Sequence, residues 1–411
     1  MDQIRQKSNM TKRSRKPKGE KSKDRHHVCL AYLPDDVLYA ILLKLDIQSL
    51  GRVCSTCRRL QSLAETDFVW TRHGGRRTLI QESGRSKQTE CSYKEKVRLS
   101  YNWENAVFQN EVITRNQVKQ MPWLQCDEAG LWVSSDQHIK YFSTNRHRGS
   151  KHLHTLRGVK HDITHFVLQD ETVVAGCSDG SIIRWNKTSE TPTFTHKVHD
   201  SHVHKVDARE NLVLSSSTDN TVRLMDIDQA AENRVVKVFE VEDRVWSVGV
   251  SPDGRWCVGG TAASTEQKPP LIVWDLARLT KVCNLGTDHK KGAGVFDLKF
   301  ESPNLLLTGG YDTILRLWDM RTFTCVSEWE EPFDYAIYCI QSDNNMTMFT
   351  GTARSSMTRL WDKRKTKPVS LYHPPARKRD SPVYSLAYDT SHLFVALDLS
   401  IHRLDFSMRK T

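Results

Sequence analysis

The chain has 411 residues, 38% of them hydrophobic, which is enough for more than one domain and a sizeable core. No apolar run approaches the roughly 20 residues that a membrane-spanning helix needs, and the charged N-terminus does not match a signal peptide. We therefore expect no membrane partner and a location in the cytoplasm, the nucleus or both. The ten cysteines are expected to be reduced thiols.

The formal net charge of +11 is concentrated near the N-terminus. Residues 1–28 contain ten Lys/Arg and three Asp/Glu with almost nothing apolar to bury, which predicts a disordered basic tail. Its segment KRSRKPKGEKSK fits a solvated stretch, a nuclear import signal or a nucleic-acid patch. No aromatic residue is interleaved to stack on bases, so nucleic acid is an unlikely partner.

A helical unit is predicted over residues 29–72. Pro34 suits the first turn of a helix, the acidic pair that follows favours its positive end, and Val37, Ile41 and Leu45 recur at four-residue steps. Leu38 adds to an apolar stripe that is wider than the core of so short a unit requires. About forty residues make a small core, which indicates a partner protein.

A second helix is predicted from about Gln48, and a third short segment follows it and ends at Trp70. The inward residues are Leu50, Val53, Cys57 and Leu60. Cys54 and Cys57 have the CxxC spacing, which is also the spacing of two ligands in half of a zinc site. Because no second CxxC accompanies it, ordinary helix positions are the favoured interpretation, and we expect neither a metal nor a cofactor.

These residues resemble the F-box, a three-helix motif that docks onto a Skp-family adaptor of cullin ubiquitin ligases. The resemblance implies cullin and RING subunits as further partners, reached through the adaptor. It also implies an adaptor-binding set, which comprises Leu33, Pro34, Val37, Leu38, Ile41, Leu45, Leu50, Val53 and Trp70. The alternative is a helical subdomain that is closed on itself.

Residues 73–105 begin polar and end in SYKEKVRLSYNWENA, which predicts a helix. Ser92 and Glu95 have the spacing of a capping box, with Val97 and Tyr101 on one side. We interpret this region as a helical linker, a spacer between the first unit and the rest of the chain.

The remainder of the chain is repetitive. Strand-like fragments end at Phe142, Trp185, Met225, Trp274, Trp318, Trp361 and Leu404, with intervals of 43, 40, 49, 44, 43 and 43 residues. This period, with Trp-Asp at the strand end, is the WD-repeat signature, in which each unit forms a four-stranded propeller blade. Seven units predict seven blades. The polar insertion TAASTEQKPP accounts for the longest interval and predicts a surface loop.

The seventh unit lacks an outer strand. After Leu404-Asp405 only FSMRKT remains, which is too short and polar to pair. Upstream of the first unit, residues 106–116 read as a strand with no blade of its own. We therefore expect a propeller over residues 106–411, closed by strand 106–116, because an open edge would otherwise remain.

The two parts together resemble the F-box/WD-repeat family. The resemblance implies a seven-bladed all-β propeller preceded by a small all-α F-box domain and a helical linker. It implies a non-catalytic substrate-recognition subunit of a Skp–cullin–F-box ubiquitin ligase, in which the propeller binds an unknown protein substrate. No P-loop, HExxH or GxSxG motif argues for an enzyme. A scaffold that delivers no substrate and a nuclear interaction protein are the alternatives.

One equivalent position near the start of each inner strand, called here the slot, indicates what the propeller binds. The slot holds Trp123, Thr164, His204, Trp246, Phe296, Tyr338 and Tyr384. None is an arginine, the residue that fits phosphate best, so the slots favour an apolar or cationic anchor. Arg244 and Arg354 are the arginines expected near this mouth. Packing between blades is the alternative role for the aromatic residues.

Overall fold

The computed structural model of the chain describes residues 30–74, 92–144, 149–228, 234–265, 267–286, 292–375 and 380–408. The predicted basic tail and the polar first part of the linker lie outside these residues. The chain divides into two compact units, Met1–Val69 and Trp70–Thr411. Within the described ranges, no helix has the length and apolar character needed to cross a membrane.

The first unit is helical. A single turn at Leu30–Tyr32 precedes four helices: α1 (Asp35–Leu42), α2 (Ile47–Val53), α3 (Arg58–Ala64) and α4 (Asp67–Gly74), within which the unit ends. Pro34 stands directly before α1, where its missing N–H costs nothing. Helix α3 packs on α1 and α2. The core residues are Leu38, Leu42, Leu50, Leu60, Leu63 and Ala64.

The second predicted helix is in fact two helices. Helix α2 ends at Val53, and Cys57 has extended backbone angles (φ −151°, ψ 160°) as the residue before α3. The inward position predicted for Cys57 is wrong, because its side chain is exposed. The CxxC spacing therefore joins the end of one helix to the start of the next.

In the described residues of the second unit, seven antiparallel four-stranded sheets follow one another. The first three blades comprise β2 (Leu124–Cys126), β3 (Gly130–Ser135), β4 (His138–Ser143), β5 (Lys151–Leu156); β6 (Ile163–Leu168), β7 (Thr172–Cys177), β8 (Ser181–Asn186), β9 (Phe194–Lys197); and β10 (Val203–Arg209), β11 (Leu212–Ser217), β12 (Thr221–Asp226), β13 (Val235–Glu240). The next three comprise β14 (Val245–Val250), β15 (Trp256–Thr261), β16 (Leu271–Asp275), β17 (Thr280–Leu285); β18 (Val295–Ser302), β19 (Leu305–Gly310), β20 (Ile314–Asp319), β21 (Thr324–Glu330); and β22 (Ile337–Ser342), β23 (Thr347–Thr352), β24 (Thr358–Asp362), β25 (Ser370–Tyr372). The seventh comprises β26 (Ser385–Tyr388), β27 (His392–Ala396), β28 (Ser400–Asp405) and β1 (Gln109–Arg115). The seven-bladed propeller is therefore confirmed.

The repeated Trp residues lie between blades. Trp185, Trp274, Trp318 and Trp361 are buried, and the indole N–H groups of Trp318 and Trp361 each donate to a threonine hydroxyl of the neighbouring strand at 2.9 Å. Buried indole N–H groups need such acceptors. At these two strand ends the Trp thus fills the space between blades with its indole N–H paired.

The outer strand of the seventh blade comes from the start of the unit. Strand β1 pairs antiparallel with β28, from Gln109 opposite Asp405 to Arg115 opposite Ser400. A bulge between Val112 and Thr114 turns Ile113 against the apolar seam between the seventh and first blades. The two ends of the unit are thereby joined in one sheet.

The predicted spacer is part of the propeller. Helix α5 (Tyr93–Glu104) begins where Ser92 accepts a hydrogen bond from the Glu95 amide (3.3 Å), as the capping spacing predicts. Trp103, however, is only 1% exposed and stacks on Phe406 at 3.6 Å between ring centroids. Helix α5 therefore packs into the propeller core in addition to connecting the two units in the sequence. No strand follows β28 among residues 406–408, as the sequence predicts, but Phe406 belongs to the core.

Polar contacts fix α5 in place. The Asn102 side-chain amide donates to the carbonyls of Phe406 (2.7 Å) and Met408 (3.1 Å). The Tyr372 hydroxyl donates to the Trp103 carbonyl at 2.7 Å, and the Trp103 indole donates to the Thr390 carbonyl at 3.1 Å. These bonds satisfy buried groups that would otherwise cost stability. Helix α5 therefore covers the sixth and seventh blades as a structural element.

The insertion in the fourth blade also differs from expectation. It connects β15 to β16, but Ala262 and Ala263 at its start are buried. The Ser264 amide donates to the Asp243 carboxylate at 2.7 Å, and the Gly292 amide donates to the Ala263 carbonyl at 2.7 Å. The predicted surface loop is thus anchored at its first residues by neighbouring connections.

A buried histidine joins two strands of the closing blade. His392 is 1% exposed, with Nδ1 2.8 Å from Asp389 Oδ2 and Nε2 3.7 Å from Asp405 Oδ1. Burial lowers its pKa, but the hydrogen bond to Asp389 and the charges of Asp389 and Asp405 outweigh burial and raise the pKa to about 9. The imidazolium therefore sits between two carboxylates that it holds ionised.

We predict that truncation will separate the contributions of α5 and β1. A chain beginning at Ser92 keeps both elements, one beginning at Ala106 lacks α5, and one beginning at Gln117 lacks both. Thermal melting should fall in that order, with a loss of at least about 3 kcal/mol for the stacked Trp103 alone. Within the longest chain, Trp103→Ala should be destabilising and Lys96→Ala, at an exposed position, neutral. Equal melting of the first two chains would show that α5 is only a spacer.

We also predict a pH dependence carried by His392. Because its folded pKa is raised from 6.5 to about 9, its stabilisation is complete below pH 6.5 and is lost as pH rises through about 9. The free energy of unfolding of wild type should therefore exceed that of His392→Gln by a few kcal/mol at pH 6.5, and the difference should shrink above pH 9. Urea denaturation of both chains across this range measures it, and a constant difference contradicts the assignment.

Candidate interaction surfaces

The predicted adaptor-binding set divides by exposure. Leu38 and Leu50 lie inside the first unit at 1% and 0% exposure, and Trp70, which belongs to the second unit, is 2% exposed. These three side chains are not accessible to a partner in this structure and act as core residues. Pro34 and Val37 are exposed. The half-buried members are Leu33, Ile41, Leu45 and Val53.

Sequence reasoning missed two exposed side chains that adjoin this set. Tyr32 is 81% exposed and Leu30 47% exposed, both in the turn that leads into α1. Together with Pro34 and Val37 they are four exposed side chains close together in the sequence, called here the apolar strip. Exposed apolar patches of this kind mark interaction sites. The missed signal was the LAYLP segment, whose apolar residues precede the periodic helix.

Arg59 holds the apolar strip in its conformation. Its guanidinium donates to the carbonyls of Ala31 (2.5 Å) and Leu33 (2.9 Å) and to Asp35 Oδ1 (2.7 Å). Only the fixed fork of an arginine reaches three acceptors in this geometry. The arginine from α3 therefore ties the turn before α1 to the helical unit.

On the propeller, the seven slots lie where the inner strands begin, and all are half-buried. Four of the aromatic slot residues come together with Tyr311 in one series, called here the aromatic arc: Trp246, Phe296, Tyr311, Tyr338 and Tyr384. Phe296 is central, with its ring 4.5 Å from Trp246, 4.6 Å from Tyr311 and 4.6 Å from Tyr338. Tyr384 extends the series, 6.4 Å from Tyr338.

A glycine makes room for the aromatic arc. The rings of Trp246 and Phe296 are stacked at an interplanar angle of 9°. A Cβ on Gly294 would lie 2.5 Å from Trp246 Cζ3 and 2.7 Å from the Ala262 carbonyl oxygen. Glycine is therefore required where the indole lies against the chain. The Ala262 carbonyl, at the start of the fourth-blade insertion, also lies against this glycine.

The phenol groups of Tyr338 and Tyr384 stay protonated. Burial raises the pKa of Tyr338 to about 12, a hydrogen bond with Tyr311 adds to the rise, and the charge of Arg354 opposes it. Burial also raises the pKa of Tyr384, as does the charge of Asp398. The arc is therefore a largely apolar surface on which the Tyr338 and Tyr384 hydroxyls are neutral.

The other three slots do not join the arc. Trp123 lies 4.1 Å from the His165 ring, and Lys205 Nζ lies 4.9 Å from the indole, so Trp123 faces the central channel. The Thr164 hydroxyl donates to the Val203 carbonyl at 2.6 Å. His204 contacts the Thr218 hydroxyl at 3.0 Å, and burial lowers its pKa to about 4, with His202 and Arg244 adding to the shift.

Tyr311 is the arc residue that sequence reasoning missed. It stands seven residues before Trp318, just as Arg354 stands seven before Trp361, so the two occupy equivalent turns of successive blades. The same position is Ser or Thr in the first three units, Ser135, Ser178 and Thr218. A large side chain at this position was therefore a detectable signal. Tyr311 is 44% exposed, and Arg244 and Arg354 are both exposed.

The central channel beneath the mouth is polar. It encloses about 1270 Å³, lined by inner-strand side chains from all seven blades. Lys205 pairs with Asp297, whose second oxygen accepts from the Ile340 amide at 2.7 Å. Burial holds the pKa of His165 well below 6.5, with the charge of Lys205 adding to the shift. Lys205 and Asp297 therefore pair with each other, and Asp297 also accepts a hydrogen bond from the backbone of the next blade.

Known proteins resemble the chain in both parts. The F-box-like family model matches residues 30–74, and the WD domain, G-beta repeat model matches residues 281–319. F-box/WD repeat-containing protein 4 (dactylin) of Mus musculus is 34% identical over 381 residues, 91% of this chain and 92% of that protein, and its Homo sapiens counterpart is 33% identical over the same shares. The solved WD40 β-propeller domain of Doa1 has a TM-score of 0.57 at 16% identity, covers 72% of this chain and 96% of that chain, and shows likeness of fold. The chain belongs to the F-box/WD-repeat family.

Proposed function

We propose that the protein is the substrate-recognition subunit of a Skp–cullin–F-box ubiquitin ligase. The observation that carries the proposal is that one chain combines an F-box-like unit bearing an exposed apolar strip with a propeller bearing a half-buried aromatic arc, of which Tyr311 is exposed. The F-box/WD-repeat family is a non-catalytic adaptor family. Transfer of ubiquitin would accordingly belong to the partners, with cullin and RING subunits reached through the adaptor.

The apolar strip supports binding of a Skp-family adaptor. The half-buried Leu33, Ile41, Leu45 and Val53 widen the apolar surface around Pro34 and Val37. Burial of such a surface contributes about 25 cal/mol for each Å² removed from water. Leu38 and Leu50 would support this surface from within, because they are already buried in the first unit.

The aromatic arc supports binding of the substrate at the end of the ring where the inner strands begin. Aromatic side chains carry a disproportionate share of binding free energy at protein interfaces. The predicted substrate set retains Trp246, Phe296, Tyr338 and Tyr384 as its centre, with Arg244 and Arg354 beside them. Trp123 and His204 would contact a ligand only from the channel side or the opposite rim.

We predict that Val37→Asp abolishes binding to a purified Skp-family adaptor. Val37 is 40% exposed, so the substitution should leave the helical unit folded, whereas a carboxylate buried in an apolar interface costs several kcal/mol. Val37→Ile is the matched control and should bind as wild type does. Calorimetric titration measures both. Undiminished binding of Val37→Asp, with an unchanged melting curve, would disprove the adaptor assignment.

A second experiment distinguishes a receptor from a scaffold. When cullin activation is blocked in cells, substrates should accumulate on the wild-type chain, because they are bound but not ubiquitinated. The same proteins should be recovered less from Tyr311→Ala, whose exposed ring belongs to the arc. Affinity purification with quantitative mass spectrometry measures both. If the same proteins are recovered in equal amounts with and without the block, the chain is a scaffold.

A further inference from the structure

The aromatic arc is bordered by an exposed arginine on a neighbouring turn. Arg354 lies between β23 and β24, close enough for its charge to act on the Tyr338 hydroxyl. Its backbone is held in place, since the Thr352 hydroxyl donates to the Arg354 carbonyl at 2.7 Å. Arg244 is exposed just before β14, two residues from Trp246. Neither guanidinium forms an ion pair with another described residue.

Three of the carboxylates at this end of the ring are turned inward. Glu331 is 2% exposed, pairs with Arg359 at 2.5 Å and accepts from the Phe333 amide at 2.7 Å. Asp243 is 5% exposed and accepts from the Ser264 amide. Asp398 is likewise buried. Glu242, Asp334 and Asp380 are exposed in the connections at this end and offset its positive charge in part. The positive charge that acts on the Tyr338 hydroxyl is that of Arg354.

The packing of the rings disfavours a cationic anchor. A cation binds best over a free aromatic face, but the faces of Trp246 and Phe296 are turned to each other, and Tyr311 and Tyr338 pack on Phe296. Tyr311 is 44% exposed and the other four rings are half-buried, so the arc forms an aromatic wall. Such a wall fits a large apolar side chain, and the charge of Arg354 repels a lysine or arginine.

We propose that the aromatic arc binds a short unmodified peptide segment of a partner protein, in which a large apolar side chain packs on the rings and an adjacent Asp or Glu pairs with Arg354. That this partner is a substrate rests on the proposed function, but the binding chemistry does not. One exposed arginine fork accommodates a carboxylate. A phosphate reader would require a cluster of such groups.

The test uses a displayed library of random linear peptides, which carry no phosphate, selected on the purified full-length chain without adaptor. Enriched peptides should share an apolar residue, aromatic or Leu-like, with Asp or Glu beside it. Tyr311→Ala should weaken the enriched peptide about tenfold, equivalent to about 1.4 kcal/mol. Because Tyr311 is 44% exposed, this variant should fold as wild type does, and its melting curve checks that.

Charge reversal supplies the sharper measurement. Selection on Arg354→Glu should replace the acidic neighbour by Lys or Arg in the enriched peptides, since the pairing is electrostatic. The matched control is Arg278→Glu, an 80% exposed arginine in the turn at the opposite end of the fourth blade, which should leave the preference unchanged. The affinity of one enriched peptide is then measured by titration against Tyr311→Ala, Arg354→Glu and Arg278→Glu.

Several outcomes would overturn the proposal. They are an absence of enrichment, enrichment of basic or purely polar peptides, an unchanged preference in Arg354→Glu, and more than about tenfold tighter binding when phosphoserine replaces the acidic residue. Since no adaptor is present, a failure here is separate from a failure of Val37→Asp to block adaptor binding. The two results together show which surface was assigned wrongly.

Discussion

The pairing of β1 with β28 is the interaction on which the propeller depends. It joins residues from the two ends of the repeat region in one sheet, so the seventh blade has four strands like the other six. Without β1 this blade would have three strands, and β28 and the apolar seam around Ile113 would be uncovered. Every blade contacts its neighbours, so the curvature of all seven relies on this one closure.

Helix α5 reinforces that closure from outside the repeats. Its Trp103 stacks on Phe406, directly after β28, and contacts Tyr372 from the sixth blade. The same element precedes β1 in the chain, so the helix and the closing strand are positioned together. A hydrophobic anchor and a hydrogen-bonded strand are complementary, because the first is non-directional and the second sets the register.

The two candidate surfaces arise by different physical routes. The apolar strip consists of residues that a small helical unit cannot bury, since its core is already filled by Leu38, Leu42 and Leu50. The aromatic arc consists of rings that the propeller buries only halfway, because inner strands converge there and Gly294 leaves room for an indole. In both cases the exposed apolar area is a consequence of geometry rather than of disorder.

The local pattern of the sequence was sufficient for the large-scale architecture. Seven strand-end fragments at nearly constant spacing specify seven blades, and the periodic apolar residues after Pro34 specify an amphipathic helix, because these periods reflect the geometry of single elements. The unpaired strand before the first unit could also be assigned by counting strands. The same counting could not show that Trp103 and Phe406 are core residues.

Only the tertiary structure decided which residues act together. Asn102 and Phe406 are separated by 304 positions, and no local period connects them. Likewise, seven equivalent slots looked alike in sequence, yet four of them join Tyr311 in an arc while Trp123 faces the channel. The sequence by itself determined the number and kind of elements, because these follow from contacts between near neighbours. Burial, exposure and the grouping of side chains were decided by closure of the ring, which brings distant positions into contact.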